Sequence, residues 1–253
     1  MALQGEAIVM ISGEAAALRE RLDAARSVCV LTGSGISADS GLPTFRGTGG
    51  LWRTHRVEEL ASPEGFARDP LLVWTWYDER RRAHRGVQPS PAHYALARLE
   101  ERIPDFTLAT QNVDSLHVRA GSRNVLELHG QLREARCSGC GARAPLDDVV
   151  ANLAKNDPGA FAHACGGTWR PDIVWFGEAL PYDVLERAFA AARRADVVLA
   201  SGTSGVVQPA ASLASKRVTR AYVAEINTES TQLTAEADCS LRGRAAEIVP
   251  LLA

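Results

Sequence analysis

Lysine is almost missing from this chain. Lys155 and Lys216 are the only two in 253 residues, so arginine carries nearly all of the positive charge. The bias reads as genome composition more than mechanism. A net charge of either sign is missing too: the formal value of −2 excludes an overall electrostatic grip on nucleic acid or anionic membrane, leaving only local patches. No apolar run approaches the roughly 20 residues of a membrane span. The first residues, MALQGEAIVMISGEAAALRERL, have neither the basic region nor the apolar core of a secretory signal. Cysteine is sparse and odd in number: Cys29, Cys137, Cys140, Cys165 and Cys239. Without a signal peptide, that favours reduced thiols in core or metal roles over disulfides. The expectation is a cytoplasmic protein of ordinary globular composition, 46% hydrophobic and 23% charged, with no sign of disorder. Its length allows one α/β domain, alone or carrying a smaller one.

What is present is a rhythm. GEAAALRERLDAARS has helical apolar spacing, and VCVLTG is a short buried strand running into glycine. Helices follow in DPLLVWTWYDERRRAHR and PAHYALARLEERI, then a strand in FTLATQN. Nearer the end, DVLERAFAAARRA, DVVLASGTS, AASLASKRV, RAYVAEIN and GRAAEIVPLL alternate helix and strand. Such β-α-β-α order predicts an α/β fold, a Rossmann-like doubly wound parallel sheet with helices on both faces. The rhythm breaks at residues 134–170, where PLDDVVANLAKN is the only clear element, and again at 46–85. These read as two insertions of a small domain, the first of them carrying the cysteines. The sheet domain then comprises 1–45, 86–133 and 171–253.

Two places carry candidate chemistry. Gly33, Gly35 and Ala38 follow a strand in G-x-G-x-x-A spacing. Glycines there let backbone approach a pyrophosphate, while amides at the next helix start face its charge. The bland alternative is a plain strand-to-helix turn. An acidic ribose ligand would fall near Glu58 or Glu59, but no strand precedes them, so this is no ordinary dehydrogenase half. The second place is LATQNVDSLHVRAGSRNVLELHG. Gln111, Asn112 and Asp114 follow a strand end, where α/β proteins bind ligands, and His129 is placed like a general base, with His117 its rival. Cys137, Cys140 and Cys165, with His163, supply the four donors of a structural zinc site, or the cluster is a remnant that binds nothing.

GSGISADSGLPTFRG, TQNVDSLH, LHG, WRPDIVWFGE, GTSGVVQPAA and INTE, in that order, resemble the sirtuin family of NAD-dependent protein deacylases from about Val28 to the end. The resemblance implies a Rossmann-like domain plus a small inserted zinc-ribbon-like domain, with NAD and acyl-lysine of a protein or peptide meeting between them. It implies that the acyl oxygen attacks the ribose carbon as nicotinamide leaves, with His129 as general base and Asn112 and Asp114 holding the ribose and nicotinamide. Free lysine, nicotinamide and O-acyl-ADP-ribose are the products. NAD contacts are implied at Gly33, Ser34, Gly35, Ile36, Thr44, Phe45, Arg46, Trp52 and Gln111. Gly202, Thr203 and Ser204 line the phosphates, Asn227 and Glu229 the adenosine ribose, and Ala245 the adenine. Val174 and Phe176 in IVWFGE, read as a strand, face Gly205 across the substrate peptide. Neither nucleic acid nor membrane is implied as a partner, and the expected unit is a monomer. Competing readings are an ADP-ribosyltransferase or NAD hydrolase, and a non-catalytic NAD-binding regulator.

The acyl group is addressed by LLVWTWYDERRRAHR. On a helix, Val73, Tyr77, Arg80 and His84 share one stripe, placing Arg80 on the apolar side while Arg81, Arg82 and Arg85 turn to solvent. An arginine there needs an anion. Either Asp78 or Glu79 supplies it, or a ligand carboxylate does. The Tyr77-x-x-Arg80 pair resembles the sirtuin class that removes succinyl and malonyl groups, with Thr48 narrowing the pocket slightly and acetyl still tolerated. Five departures from the family stand out. Ser34 replaces an alanine. Ser115 replaces a glycine, at a cost of about a kcal/mol if its φ is positive. Gly205 and Gln208 replace larger residues beside the peptide, and Ala162 stands where a cysteine belongs. His163 is the preferred substitute ligand, ahead of Asp147, Asp148 or water.

Overall fold

A computed structural model describes residues 13–44, 56–151 and 158–253. The described residues form nine strands: β1 (Ser27–Thr32), β2 (Asp105–Thr110), β3 (Val125–Glu127), β4 (Gly130–Cys137), β5 (Arg143–Pro145), β6 (Trp169–Ile173), β7 (Val197–Ser201), β8 (Tyr222–Asn227) and β9 (Cys239–Arg242). The helices are α1 (Gly13–Ala24), α2 (Gly35–Ala38), α3 (Val57–Leu60), α4 (Pro63–Arg68), α5 (Pro70–His84), α6 (Pro91–Arg102), α7 (Leu116–Arg119), α8 (Leu146–Val150), α9 (Tyr182–Arg194) and α10 (Ala245–Ile248). AASLASKRV, expected as a helix, is only a 3₁₀ turn at Ala210–Ala214.

Six strands form one parallel sheet in the order β3-β2-β1-β7-β8-β9. The chain leaves β1 on one side for β2 and on the other for β7, so the order reverses at β1. The crevice outside such a reversal is where open α/β sheets take ligands. Side chains alternate across β1, and each face has its own core. Val28 and Val30 pack with Leu18 and Leu22 of α1 and Leu96 and Leu99 of α6. Cys29 and Leu31 pack with Ala188, Ala191 and Ala192 of α9 and with Leu213. Cys29 is pure core, its thiol pushed up to about 12 by burial.

The second sheet, β5-β4-β6, is antiparallel. The sequence reading missed all three of its strands. Their apolar positions are few: β5 is largely exposed and the buried run of β6 includes Arg170 and Asp172, while a third core joins Trp74 and Tyr77 of α5, Leu132 and Ala135 of β4, Leu146 of α8 and Phe161. IVWFGE is also not a strand. β6 stops at Ile173, after which Val174 N–H donates to His129 O (2.9 Å) and Phe176 N–H to Ala61 O (2.9 Å). No helix among the described residues is long and apolar enough to cross a membrane.

Candidate functional site

The carboxyl ends of β1, β2 and β7 lie in register, with Thr32 beside both Thr110 and Ser201. The loops leaving β1 and β7 then press together. A Cβ on Gly35 would stand 2.7 Å from Gly202 Cα, one on Gly33 2.8 Å from Gly202 O, and one on Gly202 2.4 Å from Ile36 N. Gly202 has φ of +63° besides. Only glycine fits these places, and the contact is tied by Gly35 N–H donating to Gly202 O at 2.8 Å. Ile36, fully buried, pins the loop into the α1–α6 core. The result is a cleft edge made of bare backbone, which a side chain would fill and which suits a dinucleotide's phosphates. Ser34 precedes α2 as its N-cap residue. Thr44 ends the described part of this segment; Phe45, Arg46, Thr48 and Trp52 lie outside the described residues.

Asn112, Asp114 and Gln111 follow β2 directly. The Asn112 Nδ2 donates to Gly33 O (3.0 Å) and Ser37 Oγ (3.1 Å), and Ser37 Oγ donates in turn to Asp114 Oδ2 (2.7 Å). Asp114 Oδ1 accepts from Leu116 N–H at 2.9 Å. Gln111 Nε2 reaches Thr203 Oγ1 (2.8 Å), and Asn227 Nδ2 reaches Thr203 O (2.7 Å), linking the ends of β2, β7 and β8 across the cleft. Between Asp114 and Leu116, Ser115 has φ 61° and ψ 16°, so the left-handed turn that a glycine would make freely is made here by serine. Its hydroxyl accepts from Arg133 Nη1 at 2.6 Å.

His129 links β3 to β4. Its Nδ1 lies 3.0 Å from Gln111 O. A carbonyl only accepts, so Nδ1 carries the proton and Nε2 holds the free lone pair. Burial pushes the imidazole below its ordinary value of 6.5, against the upward pull of the Gln111 carbonyl. His129 is therefore a neutral base at physiological pH. His117, its rival on sequence, is 2% exposed and sits beneath the cleft with Nε2 2.9 Å from Thr32 Oγ1. Burial holds it well below the ordinary histidine value, which makes it part of the floor.

Several residues of the site escaped the sequence reading. Ser37 is the hub between Asn112 and Asp114, and His93, fully buried on α6, lies tilted against His117 with ring centroids 4.6 Å apart and approaches Ser37 Oγ at 3.5 Å. Ser90 N–H donates to His93 Nδ1 at 3.1 Å, fixing the other nitrogen as the one facing Ser37. Asp39 pairs with Arg244 and accepts from Ala246 N–H (3.3 Å), tying the end of the glycine loop to the start of α10 beside Ala245. Ser37 lies within GSGISADSG, and nothing local in that run marks it as buried.

On α5 the expected stripe forms, with Val73 and Tyr77 buried and Arg80 and His84 half-buried. Asp78 does not serve Arg80: it pairs with Arg81 (2.5 Å) and Arg82 (2.6 Å). Arg81 consequently does not turn to solvent. Its side chain is 11% exposed and reaches Asp147 as well, whereas Arg82 and Arg85 are exposed. Arg80 lies with its guanidinium 5.2 Å from the Trp76 ring, and among the described residues its buried Nε has no partner. His84 feels both neighbours: burial lowers it most, Asp114 pulls it up and Arg80 pushes it down. The stripe thus runs toward Asp114.

In the three-stranded module, ligand atoms of Cys137, Cys140, Cys165 and His163 all lie within 4.8 Å of one another. Cys137 and Cys165 sulfurs are 3.5 Å apart, and Cys140 Sγ is 3.6 Å from His163 Nδ1. Tetrahedral zinc with bonds of about 2.3 Å needs separations of roughly 3.8 Å. The donor set therefore fits the ion. Gly167 is obligatory, since a Cβ there would meet Cys137 Sγ at 2.7 Å. Asp147 is spent on Arg81 and Arg85.

With this geometry in hand, comparison with known proteins is decisive. Residues 33–209 match the Sir2 family. An NAD-dependent protein deacylase of Thermus thermophilus is 50% identical over 239 residues, covering 92% of each chain. A solved Sir2 homolog–NAD complex superposes with a TM-score of 0.83 at 47% identity, over 94% of this chain and 91% of that one. A Sir2–p53 peptide–NAD+ complex gives 0.80 at 32% identity, over 91% and 93%. The chain belongs to the Sir2 family. It is an enzyme that uses NAD, and its cysteine cluster is consistent with a structural zinc.

Proposed function

We propose that this enzyme removes acyl groups from protein lysines, prefers acyl groups that end in a carboxylate, such as succinyl and malonyl, and accepts acetyl as well. One observation carries the preference. Arg80 lies on the inward stripe of α5 with its buried Nε unpartnered among the described residues, while the nearby carboxylate, Asp78, is taken by Arg81 and Arg82. Burying a guanidinium edge without an anion is unfavourable, and a ligand carboxylate relieves it bidentately. Tyr77, three residues earlier, adds a hydroxyl that burial keeps protonated.

NAD supplies the activated ribosyl bond to which the acyl oxygen is transferred as nicotinamide departs. This chain's residues bind, orient and move a proton. The bare backbone at Gly33, Gly35 and Gly202 receives the phosphates, and Thr203, Ser204, Asn227, Glu229 and Ala245 line the adenosine side. Asn112 and Asp114, held by Ser37, orient the nicotinamide ribose without reorganising. His129 Nε2 takes the proton from a ribose hydroxyl, being neutral and held by the Gln111 carbonyl. Val174 and Phe176, at the end of β6, and Gly205 flank the peptide. Cys137, Cys140, Cys165 and His163 hold zinc as a structural ion within a small domain built from residues 46–85 and 134–170, which supports the substrate side of the cleft. Free cysteines accord with work in the cytoplasm, and the enzyme acts as a monomer on exposed peptide segments.

The test is an acyl panel of succinyl-, malonyl- and acetyl-lysine peptides with NAD, read by mass spectrometry of peptide and O-acyl-ADP-ribose. Arg80→Met should abolish desuccinylation and leave deacetylation largely intact. Equal loss of both activities overturns the acyl preference, and NAD loss without deacylation overturns the function.

A further inference from the structure

Tyr77 and Trp175 are 98 residues apart in sequence and meet inside the third core, where the Trp175 Nε1–H donates to the Tyr77 hydroxyl oxygen at 2.9 Å. An indole nitrogen only donates, so the phenol must be the acceptor here. The hydroxyl proton of Tyr77 is consequently turned away from Trp175. Among the described residues, the bond from Trp175 is the one hydrogen bond recorded for that hydroxyl. Arg80, one helical turn on, offers a second buried donor, its Nε, that has no partner among the described residues.

The indole is itself clamped. Arg170 lies over its face with the guanidinium carbon 3.4 Å from the ring centroid. Arg170 is 6% exposed and is held by Glu178 and by Ile173 O, the latter at 2.9 Å. Glu178 also accepts from Trp175 N–H at 2.8 Å, and Phe66 closes the remaining side with ring centroids 5.2 Å apart. A tryptophan that only filled space would need none of these polar ties. These fix the direction of one N–H.

We propose that Trp175 is a specificity-determining positioning residue: by occupying Tyr77 as an acceptor, it commits the Tyr77 proton to an acyl carboxylate. The inference rests on the reading of Tyr77 and Arg80 as the acyl site and adds a residue that does not itself touch the substrate. Trp175 acts through Tyr77, so its effect appears only with substrates that accept that proton.

The test compares Trp175→Phe, Tyr77→Phe and the double variant on succinyl-lysine and acetyl-lysine peptides, with Arg80→Met as reference. Trp175→Phe keeps one aromatic ring in the core and removes the N–H together with the five-membered half of the indole. It should raise KM for the succinyl peptide by roughly three- to tenfold, the size of one net hydrogen bond, with kcat little changed and the acetyl peptide unaffected. Tyr77→Phe should do the same, and the double variant should be no worse than Tyr77→Phe alone. The succinyl-to-acetyl ratio within one variant cancels any loss of folded enzyme. Moreover, removing both partners leaves no buried group unpaired, so the double variant should melt closer to wild type than Trp175→Phe does. Equal losses on both peptides, or single effects that multiply in the double, overturn the proposal by reducing Trp175 to packing. A selective Arg80→Met beside an unselective Trp175→Phe overturns it while leaving the acyl reading standing. An unselective Arg80→Met overturns the acyl reading and this proposal with it.

Discussion

Ser37 Oγ stands 2.7 Å from Asp114 Oδ2 and donates to it. The serine belongs to the short helix after the glycine loop and the aspartate to the loop after β2, so one hydroxyl ties the Asp114 carboxylate to the glycine-loop side of the cleft. It also accepts from Asn112 Nδ2 at 3.1 Å. Ser37→Ala leaves buried Asn112 and half-buried Asp114 each short of a partner. A hydrogen bond to a charged group contributes about 1.5–3 kcal/mol. The expected result is a roughly 10- to 100-fold fall in kcat/KM for NAD, most of it in KM, measured at saturating peptide. Unchanged NAD kinetics would show that the two side chains hold their pose unaided.

Ser115 carries a backbone penalty that the fold retains. Its φ of 61° suits glycine, and the side chain recovers part of the cost through the 2.6 Å bond from Arg133. Replacement by glycine loses that exposed bond and relieves the left-handed strain. Replacement by alanine loses the bond and keeps the strain. Ser115→Gly should thus be more stable than Ser115→Ala by about 1 kcal/mol, read as the difference in urea midpoint. Equal stability of the two variants would mean that the turn relaxes when the hydroxyl is gone.

The parts of this molecule that were legible in sequence share a property. β1, β2, β7 and β8 are buried on both faces, so each is a short apolar run ending at a polar or glycine-rich turn, and their ends located Gly33, Asn112, Asp114 and Gly202. β4 and β5 were illegible because exposed and half-buried arginines interrupt them, Arg133, Arg136 and Arg143 giving no strand signal, and β6 because its buried run includes Arg170, Pro171 and Asp172. β9, reading CSLR at the sheet edge, is too short and too polar to announce itself. His129 could be found because its position follows a strand. Ser37, His93 and Trp175 could not, since each gains its role from a contact 56 to 98 residues away. The fate of Asp78 was equally hidden: three arginines compete for it within one turn, and only packing decides that Arg80 goes without.

His163 makes a prediction about metal. Its Nδ1 lies 3.6 Å from Cys140 Sγ, and its ring stands edge-on to Trp169 with centroids 4.9 Å apart. Purified protein should contain about one zinc per chain. His163→Ala should lose the ion to a chelator at concentrations that leave wild type loaded, with a weakening at least as large as the roughly 10- to 100-fold caused by losing a supporting contact. His163→Cys should restore retention, because a thiolate replaces the imidazole as a fourth donor. Chelation that strips the ion should lower the melting temperature of wild type by more than that of His163→Ala, whose weaker site contributes less. Full zinc in His163→Ala after dialysis would assign the fourth position to water or another side chain.

Acid should weaken this fold through the paired histidines under the cleft. Burial lowers His93 from 6.5 to about 4 and holds His117 well below its ordinary value too, although the Asp114 charge pulls His93 upward. Unfolded, both bind protons near 6.5, so between that pH and about 4 the unfolded chain holds more protons than the native one. Stability is then fully present above pH 6.5 and is lost as pH falls through this window, by an amount of order 3 kcal/mol for His93 alone. His93→Asn should start less stable at pH 8, having given up its contacts with Ser37 and Ser90, yet lose less between pH 6.5 and 4.5. His117 remains, so the slope should shrink without vanishing. Chemical denaturation at four or five pH values measures it directly. Parallel curves for variant and wild type would place the acid sensitivity elsewhere, most plainly in carboxylates such as Asp105 and Asp196 that are held low by their partners.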